Sequence, residues 1–349
     1  MHKVAAPGQL PDIPTPTPIP LPRSSFSRLY NVPQMPIHLV TGGAGFIGST
    51  LAEALLARGD TVRILDDFSS GRRANVDGLH GRLEVLEGTV TDEAVVRRAV
   101  QGVDVIFHHA AIPSVVLSVE RPQETMFANV QGTTVLLDVA RSAGVRRVIF
   151  AASAAAYGNT DIVPTPETAP LSPLSPYAVS KVAGEFLMRS FSGLYGLETI
   201  SLRYFNVFGA RQDPKSQYAA AVPNFVSAAL RNEAATVFGD GEQTRDFCHV
   251  DNVVAANLLA AGTPKKLTGQ VVNIACGERV SLNELLRIIA EATGTSVPPR
   301  YDAPRPGDVR DSFASIDAAR ELLGYEPTVR VREGLQKTIA ALRSAQGRS

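Results

Sequence analysis

From residue 37 onward, short apolar stretches alternate with segments in which apolar residues recur every three or four positions. The short stretches predict strands, and several are apolar nearly throughout, as expected of strands covered on both faces. The predicted strands are IHLVT (37–41), TVRILD (61–66), LEVLEG (83–88), DVIFHHAA (104–111), RVIFAAS (147–153) and ETISLRYFN (198–206). The intervening segments have helical spacing, and most run into a glycine that fits a helix C-cap. Strands alternating with helices predict an α/β fold with a doubly wound parallel sheet of the Rossmann type.

Two parts of the chain break this rhythm. Residues 1–34 are dense in proline and show neither hydrophobic period, which predicts a disordered N-terminal extension. After residue 206, loops rich in glycine, proline and aspartate alternate with isolated helical segments. We therefore predict a doubly wound domain over residues 35–206 and a smaller C-terminal domain over residues 207–345. The smaller domain would cover the carboxyl edge of the sheet, where open α/β sheets bind ligands.

Charge and composition exclude several classes of protein. The 349 residues carry 34 basic and 34 acidic side chains, and a formal net charge of zero argues against a nucleic-acid-binding surface. No apolar run approaches the about 18 residues of a membrane-spanning helix. Cys248 and Cys276 predict free thiols rather than a disulfide or a metal site. We expect a cytoplasmic protein that binds no metal, no membrane and no nucleic acid.

The stretch LVTGGAGFIGSTLAEALLARGD (39–60) leads from a strand through a glycine turn into a helix. Gly42, Gly45 and Gly48 form GxxGxxG in the strand–turn–helix context that a dinucleotide site requires. The glycines permit a tight turn, close approach of backbone N–H groups to a pyrophosphate, and close packing of helix on strand. The next strand ends in Asp66, whose carboxylate can bind a ribose diol and would repel a 2′-phosphate. The sequence therefore predicts NAD, rather than NADP, as the cofactor.

A tyrosine and a lysine four residues apart indicate the chemistry. Tyr177 and Lys181, in YAVSK, share one face of a predicted helix, and Ser153 ends the preceding predicted strand. The ordinary pKa of a phenol is about 10, so a base at neutral pH needs about 4 kcal/mol of phenolate stabilisation. A neighbouring ammonium and a positively charged nicotinamide ring both favour the phenolate, and the Ser153 hydroxyl can bond the same substrate oxygen. We predict Ser153, Tyr177 and Lys181 as the catalytic residues.

Several segments together resemble the extended short-chain dehydrogenase/reductase family, and within it the nucleotide-sugar 4-epimerases. They are TGGAGFIG, DDFSSG, HHAAIPSV, AASAAAYG, YAVSK, LRYFNVFGARQDP, GDGEQTRDFCHVDN and RPGDVRDS, and the resemblance spans residues 36–340. It implies that a tyrosinate deprotonates the 4-hydroxyl of a UDP-sugar while a hydride leaves C4 for NAD. The 4-keto sugar then swings about its pyrophosphate link, and the hydride returns to the opposite face. Tyr177 would be base and acid, Lys181 its electrostatic tuner and ribose anchor, and Ser153 its hydroxyl partner.

The resemblance also implies which residues hold the cofactor and the substrate. Besides Tyr177 and Lys181, the implied cofactor residues are Gly42, Gly45, Phe46, Ile47, Gly48, Asp66, Asp67, Phe68, Ser70, Gly71, Val90, Ala110, Ala111, Asn129 and Tyr204. The implied substrate residues are Ser114, Ser153, Asn206, Val222, Arg245, Arg305, Asp308 and Ser312. Subunit pairing through helices near 115–140 and 175–195 is usual in the family and implies a homodimer.

Departures from the family pattern bear on which reaction and contacts are expected. Sugar-nucleotide 4,6-dehydratases of this fold carry an acidic pair after the serine position, where this chain has Ala154 and Ala155, so elimination is not expected. Gly88 and Thr89 stand where relatives often have glycine and aspartate, which leaves an adenine amino contact without its usual acceptor. His109 replaces an apolar residue and is expected to pack behind the site rather than to react.

The choice of sugar depends on Ser312, which aligns with a gatekeeping position beside the hexose. A serine there leaves space for an acetamido group, so we predict UDP-GlcNAc/UDP-GalNAc interconversion, with UDP-Glc/UDP-Gal as a slower or parallel activity. Epimerisation or decarboxylation of UDP-glucuronate is the alternative on the same scaffold, which Ser114 and Arg211 leave open. A catalytically silent NAD-binding regulator is the alternative from another class.

Overall fold

The structure, a computed structural model, describes residues 36–212, 221–304 and 310–346, so the predicted extension over residues 1–34 lies outside the described part. The strands are β1 (Ile37–Thr41), β2 (Thr61–Asp66), β3 (Arg82–Glu87), β4 (Val103–His108), β5 (Arg147–Ser153), β6 (Glu198–Tyr204), β7 (Val207–Phe208), β8 (Thr236–Phe238), β9 (Thr244–Arg245), β10 (Cys248–His249), β11 (Thr268–Ile274), β12 (Val280–Ser281), β13 (Arg300–Asp302) and β14 (Asp311–Ser312). The helices are α1 (Phe46–Ala57), α2 (Glu93–Ala99), α3 (Val115–Glu120), α4 (Pro122–Met126), α5 (Gly132–Ser142), α6 (Pro176–Tyr195), α7 (Ala221–Leu230), α8 (Val250–Gly262), α9 (Leu282–Thr293), α10 (Asp317–Leu323) and α11 (Val331–Gln346).

The central sheet consists of seven parallel strands in the order β11–β6–β5–β4–β1–β2–β3 within the described residues. The strand order reverses between β1 and β4, which is where doubly wound sheets bind ligands. The predicted doubly wound parallel sheet is confirmed, and β1, β2 and β5 have the predicted bounds. Strand β11 is not predicted by the sequence pattern, because TGQVVNI stands among loops and isolated helices. The sheet therefore continues past residue 206, and the domain boundary proposed there stays a prediction.

Helices cover both faces of the sheet. On one face, Leu51 and Leu55 of α1 pack in one cluster with Val253 of α8. On the other face, Leu136 of α5 packs in a second cluster with Met188 of α6. All five side chains are fully buried, and burying one such side chain stabilises the fold by about 1.5–3 kcal/mol. With both faces covered, the carboxyl edge is the part of the sheet that is left for a ligand.

The helical segment between β4 and β5 contains an irregularity. The spacing predicts one helix, whereas the structure divides it into α4, a π-helical turn (Phe127–Gln131) and α5. A π turn inserts one extra residue and rotates the side chains around it. Asn129 lies within this turn and is buried, although it is polar. The π turn therefore directs one amide side chain into the protein.

Part of the chain after β6 forms small sheets and a separate apolar cluster. The small sheets pair β7 with β10, β8 with β13, and β9 with both β12 and β14. Phe225 of α7, Leu285 of α9 and Leu335 of α11 form the apolar cluster. The separate C-terminal domain over residues 207–345 stays a prediction, because α8, β11 and α10 pack with the central sheet.

Candidate active site

The glycine turn connects β1 to α1 at the carboxyl edge of the sheet. Gly42 has a φ of +68°, and a Cβ there would lie 2.7 Å from the backbone nitrogen of Ala110. A Cβ on Gly48 would lie 2.2 Å from the Gly42 carbonyl oxygen, so Gly48 permits the close packing that the sequence predicts. Gly45 is the N-cap residue of α1, and no side chain caps this helix.

The start of α1 fits the pyrophosphate of a dinucleotide. Because the first N–H groups of a helix have no acceptor inside the helix, those of the predicted residues Phe46 and Ile47 can donate to a ligand. Within 4 Å, a methyl group on Gly45 would contact only the Gly42 carbonyl oxygen, at 3.2 Å. The turn therefore combines available donors with space beside them, which is the geometry that NAD requires.

Asp66 ends β2 beside the glycine turn and is 7% exposed. Its carboxylate oxygens accept hydrogen bonds from the backbone N–H groups of Ala44 and Phe68, each at 2.8 Å. Burial raises the pKa of this carboxyl group, and the two N–H groups oppose that shift. Each oxygen keeps a second lone pair that can accept from a ribose hydroxyl. Asp66 thus also ties β2 to the glycine turn, a structural role that the sequence did not predict.

The loop after β2 folds against the same turn. It carries the predicted cofactor residues Asp67, Phe68, Ser70 and Gly71. Phe68 has a left-handed φ of +56°, and the guanidinium carbon of Arg73 lies 4.1 Å from its ring centroid. A Cβ on Gly71 would lie 2.7 Å from a carboxylate oxygen of Asp66. Left-handed backbone at a bulky residue is strained, and such strain concentrates at ligand sites.

Tyr204, a predicted cofactor residue, ends β6 with its hydroxyl group inside the protein. The hydroxyl accepts a hydrogen bond from Asn257 Nδ2 at 2.9 Å and lies 3.1 Å from His109 Nε2. The Tyr204 and His109 rings stack with centroids 6.0 Å apart. Burial lowers the pKa of His109 to about 4, so the imidazole is neutral at ordinary pH. His109 packs behind the site, as expected from the sequence.

The remaining predicted cofactor residues are Val90 after β3, Ala110 and Ala111 after β4, and Asn129 in the π turn. Val90 is buried, and Ala110 and Ala111 are half-buried in the loop after β4. Asn129 uses its side chain within the protein: Oδ1 accepts from the Ile112 N–H at 2.7 Å, and Nδ2 donates to Ser180 Oγ at 2.9 Å. A contact between Asn129 and a cofactor would therefore use the second lone pair of its amide oxygen.

Ser153, Tyr177 and Lys181 converge at the carboxyl end of β5. Ser153 is the last residue of the strand, and its Oγ accepts a hydrogen bond from the Ala155 N–H at 3.2 Å. Tyr177 lies in the first turn of α6, and its phenol is close enough to the Ser153 hydroxyl for that group to influence the phenol pKa. Lys181 follows one helical turn later, and its Nζ donates to the Ala151 carbonyl oxygen at 2.8 Å. The structure therefore brings the three predicted catalytic side chains together.

The pKa of the Tyr177 phenol differs from the sequence-based expectation that its neighbours lower it. Burial raises the pKa of the Tyr177 phenol, and the interaction with the Ser153 hydroxyl only partly opposes this shift. Burial lowers the pKa of Lys181 to about 8, against the opposing charge of Glu185. Lys181 Nζ lies 5.8 Å from the Tyr177 ring centroid. The protein groups alone thus raise the phenol pKa, and a positive nicotinamide ring is the further source of phenolate stabilisation.

A cavity of about 260 Å³ brings together three predicted substrate residues, Asn206, Val222 and Arg245. Asn206 has a φ of +33°, an uncommon backbone conformation, and its Nδ2 donates to the Asp246 carbonyl oxygen at 3.1 Å. Ser312 pairs with Arg245 across β14 and β9. Four of the eight predicted substrate residues therefore lie in or beside one cavity wall.

Gln243 lines the same cavity and was not among the predicted residues. Its Nε2 donates to the Phe238 carbonyl oxygen at 2.6 Å, and the side chain is 6% exposed. Its Oε1 is buried and has no hydrogen-bond partner among the described residues. Buried polar atoms are nearly always paired, so this oxygen is a candidate acceptor for a ligand. Gln243 precedes Arg245 by two positions in the GDGEQTRDF segment, which is the signal that could have identified it.

The other predicted substrate residues have different positions. Ser114 is the N-cap of α3, and its Oγ accepts from the Leu117 N–H at 3.0 Å. Arg305 and Asp308 lie outside the described residues. Ser153 belongs to the catalytic set.

Three further features bear on the class of protein. Over residues 36–212, 221–304 and 310–346, no group of three or more potential ligand side chains could hold a metal ion. No helix in that part of the chain is long and apolar enough to cross a membrane. Cys248 and Cys276 are free and buried.

A parallel sheet with a dinucleotide turn and a serine–tyrosine–lysine set defines a nicotinamide-dependent enzyme. A family model for the NAD dependent epimerase/dehydratase family matches residues 38–275. The chain belongs to this family, and the predicted NAD cofactor and enzyme class are confirmed.

Named relatives agree with this assignment. The chain is 41% identical over 310 residues to UDP-glucose 4-epimerase of Mycolicibacterium smegmatis. The aligned region covers 88% of this chain and 98% of that protein. It resembles the crystal structure of UDP-glucose 4-epimerase from Thermotoga maritima, with a TM-score of 0.84, 39% identity and coverage of 89% and 99%. It also resembles UDP-N-acetylglucosamine 4-epimerase from Methanobrevibacter ruminantium M1, with a TM-score of 0.84, 35% identity and the same coverage.

Proposed function

We propose that this chain interconverts UDP-hexoses at C4, acting on UDP-glucose and UDP-galactose and on their N-acetylated counterparts. The observation that carries the proposal is the convergence of Ser153, Tyr177 and Lys181 at the end of β5, two strands from the glycine turn. The names of the relatives support the plain pair of sugars and, in one case, the acetamido sugar.

The proposed roles follow from where each side chain lies. The Tyr177 oxygen takes the proton from the sugar 4-hydroxyl and later returns one to the 4-oxygen, because it belongs to the titratable group beside the Ser153 hydroxyl. The Ser153 hydroxyl holds the same substrate oxygen. The Lys181 ammonium, fixed on the Ala151 carbonyl, adds positive charge beside the phenol. The glycine turn and Asp66 would hold NAD, which would supply the hydride acceptor and donor for C4.

The cavity around Arg245 is proposed to hold the nucleotide diphosphate. A guanidinium presents a planar fork of donors that matches phosphate oxygens. The unpaired oxygen of Gln243 is an acceptor that suits the imide N–H of uracil. Together they would hold the nucleotide while the keto sugar swings about its pyrophosphate link.

Ser312 carries the proposal that acetamido sugars are accepted. Its strand β14 pairs directly with the strand of Arg245, and its short side chain occupies little of the space beside the nucleotide site. The uronic-acid alternative has less support, because both groups that suggested it already make contacts within the protein, although Arg211 Nη1 has no hydrogen-bond partner among the described residues. Ser114 caps α3, and Arg211 donates to Glu53 at 2.8 Å.

A homodimer is proposed from apolar side chains exposed near α6. Phe186 and Leu194 of α6 are 60% and 73% exposed, and Val119 and Phe127, from the neighbouring segment, are 63% and 59% exposed. Apolar side chains gathered on adjacent elements are typical of an interface. Phe186→Lys should shift the chain from dimer to monomer in light scattering, whereas Leu259→Lys, at an exposed apolar position of α8 on the other face of the sheet, should leave the dimer intact.

A panel of UDP-sugars tests the proposed function. Purified protein with NAD should interconvert UDP-glucose with UDP-galactose and UDP-GlcNAc with UDP-GalNAc, and should leave UDP-glucuronate unchanged. Tyr177→Phe should abolish turnover while NAD stays bound. Bound NAD without turnover of any UDP-sugar would refute the proposal and favour a silent NAD-binding regulator. Turnover of UDP-glucuronate alone would favour the uronic-acid alternative.

A further inference from the structure

A series of buried polar side chains connects the glycine turn to helix α6 through His108. Thr41, the residue before Gly42, has its Oγ1 2.8 Å from His108 Nδ1. On the other side of the ring, His108 Nε2 lies 2.9 Å from Thr133 Oγ1 of α5. Thr41, His108 and Thr133 are at most 1% exposed, so water does not complete these contacts. The polar partners of the ring are therefore the two threonine hydroxyl groups.

The positions of the protons follow from the outer partners. Thr133 Oγ1 lies 2.5 Å from the Asn129 carbonyl oxygen, an acceptor, so its single hydrogen is donated there. Thr133 can then only accept from the ring, which places the imidazole hydrogen on Nε2. Nδ1 consequently accepts from the Thr41 hydroxyl, and Thr41 Oγ1 itself accepts from the Ala110 N–H at 3.3 Å. Every polar atom in the series is paired in this arrangement.

The series continues from Asn129 to the catalytic helix. Asn129 Nδ2 donates to Ser180 Oγ at 2.9 Å, and Ser180 Oγ donates to the Tyr177 carbonyl oxygen at 2.7 Å. Asn129 occupies the π turn, so the irregularity in the helix is what directs its amide toward α6. The contacts therefore run without a gap from the residue before the glycine turn to the residue that carries the phenol.

Burial holds the ring neutral, because it lowers the pKa of His108 to about 3. The positive charge of Lys181 acts in the same direction. The Phe150 ring, 5.7 Å away, adds an apolar neighbour. A neutral ring with one donor and one acceptor on opposite sides can join two elements only in a fixed orientation.

We propose that His108 is a positioning residue, a neutral Nε2-protonated imidazole that sets the distance between the glycine turn and Tyr177. Because hydride transfer needs the reacting atoms at near-contact distance, this spacing determines how the bound dinucleotide faces the phenol and the sugar. The proposal rests on the proposed epimerase function and adds a residue that acts through Thr41 and Thr133 rather than on the substrate.

Substitutions at Thr133 test the effect on catalysis. Thr133→Val keeps the shape but leaves the Nε2–H buried without an acceptor, whereas Thr133→Ser keeps the hydroxyl. Thr134→Val is the matched control, because Thr134 Oγ1 makes the same type of bond, to the Val130 carbonyl at 2.9 Å, but does not contact His108. With NAD and UDP-glucose, Thr133→Val should lower kcat about tenfold with KM changed less than twofold. Thr133→Ser and Thr134→Val should stay within twofold of the parent, and equal kcat values for the two valine variants would overturn the proposal.

A labelled-histidine NMR measurement on the full chain separates this proposal from the proposed function. The His108 signals, assigned by difference from His108→Gln, should show an Nε2-protonated ring that does not titrate between pH 5 and pH 9. The same should hold in Thr134→Val, whereas Thr133→Val should lose the Nε2 hydrogen-bond shift. An Nδ1-protonated or titrating ring would overturn the proposal. This readout needs no turnover, so it decides on His108 even if the chain proved to have no epimerase activity.

Discussion

Helix α6 approaches β5 closely because residue 184 is a glycine. A Cβ on Gly184 would lie 2.3 Å from Cζ of Phe150, a ring that is 3% exposed and enclosed by the sheet. The same helix carries Tyr177 and Lys181, and Lys181 Nζ lies 5.0 Å from the centroid of that ring. We therefore predict that Gly184→Ala separates the helix from the strand and harms both stability and catalysis.

Two opposing effects determine the size of the stability change. Replacing glycine by alanine inside a helix stabilises it by about 1 kcal/mol. Overpacking a buried contact costs about 1–3 kcal/mol, and a 2.3 Å approach belongs at the upper end of that range. The net effect of Gly184→Ala should be a loss of about 1–2 kcal/mol in the free energy of unfolding.

Gly193→Ala supplies the matched control in the same helix. A Cβ on Gly193 would meet no atom within 4 Å, so only the helix-propensity gain remains. Urea unfolding at one saturating NAD concentration should show Gly193→Ala more stable than the parent and Gly184→Ala less stable, a difference of about 2–3 kcal/mol. The kcat of Gly184→Ala should also fall, because the Lys181 bond to the Ala151 carbonyl would lengthen. Equal stability of the two variants would show that α6 does not depend on this close approach.

Three other predictions concern the substrate and pH. Ser312→Tyr should suppress turnover of UDP-GlcNAc while sparing UDP-glucose, and an equal loss of both kcat/KM values would remove Ser312 as the gatekeeper. The pKa of Lys181 is lowered to about 8, so its ammonium is lost as pH rises through 8 and kcat should decline there. A kcat that stays constant up to about pH 10 would contradict the role of Lys181. Burial raises the pKa of Asp246 to about 6, above its value in the unfolded chain, so its ionised form destabilises the fold and protonation relieves this. Between pH 7 and pH 5 the unfolding free energy of the parent should therefore rise by about 1 kcal/mol relative to that of Asp246→Asn. Equal pH slopes for the two proteins would contradict the assignment.

The sequence predicted those parts of the molecule that depend on local patterns. The bounds of β1, β2 and β5 follow from apolar runs that end at turn residues. Ser153 and Tyr177 could be placed together because a strand end and the start of a nearby helix meet at the same edge of a parallel sheet. Such placements require only the order of the elements and the spacing of residues within them.

Other features depend on contacts between distant segments, which no local pattern records. Strand β11 joins the sheet only because β6 offers it an edge, and the spacing of TGQVVNI does not reveal this. The unpaired oxygen of Gln243 and the proton order through His108 depend on distances between side chains far apart in the chain. The raised pKa of Tyr177 likewise follows from burial, which the sequence argument underestimated.

The two backbone contacts of Asp66 have a consequence for redesign of the cofactor preference. The usual way to admit a 2′-phosphate is to replace the acidic residue at the end of the second strand. Here that replacement would also remove the acceptors for the Ala44 and Phe68 N–H groups and release the turn on which the pyrophosphate rests. An engineered switch to NADP would therefore need to retain Asp66 and introduce a cation in the loop that follows it, so that the neighbouring residues change selectivity while the carboxylate keeps the turn in place.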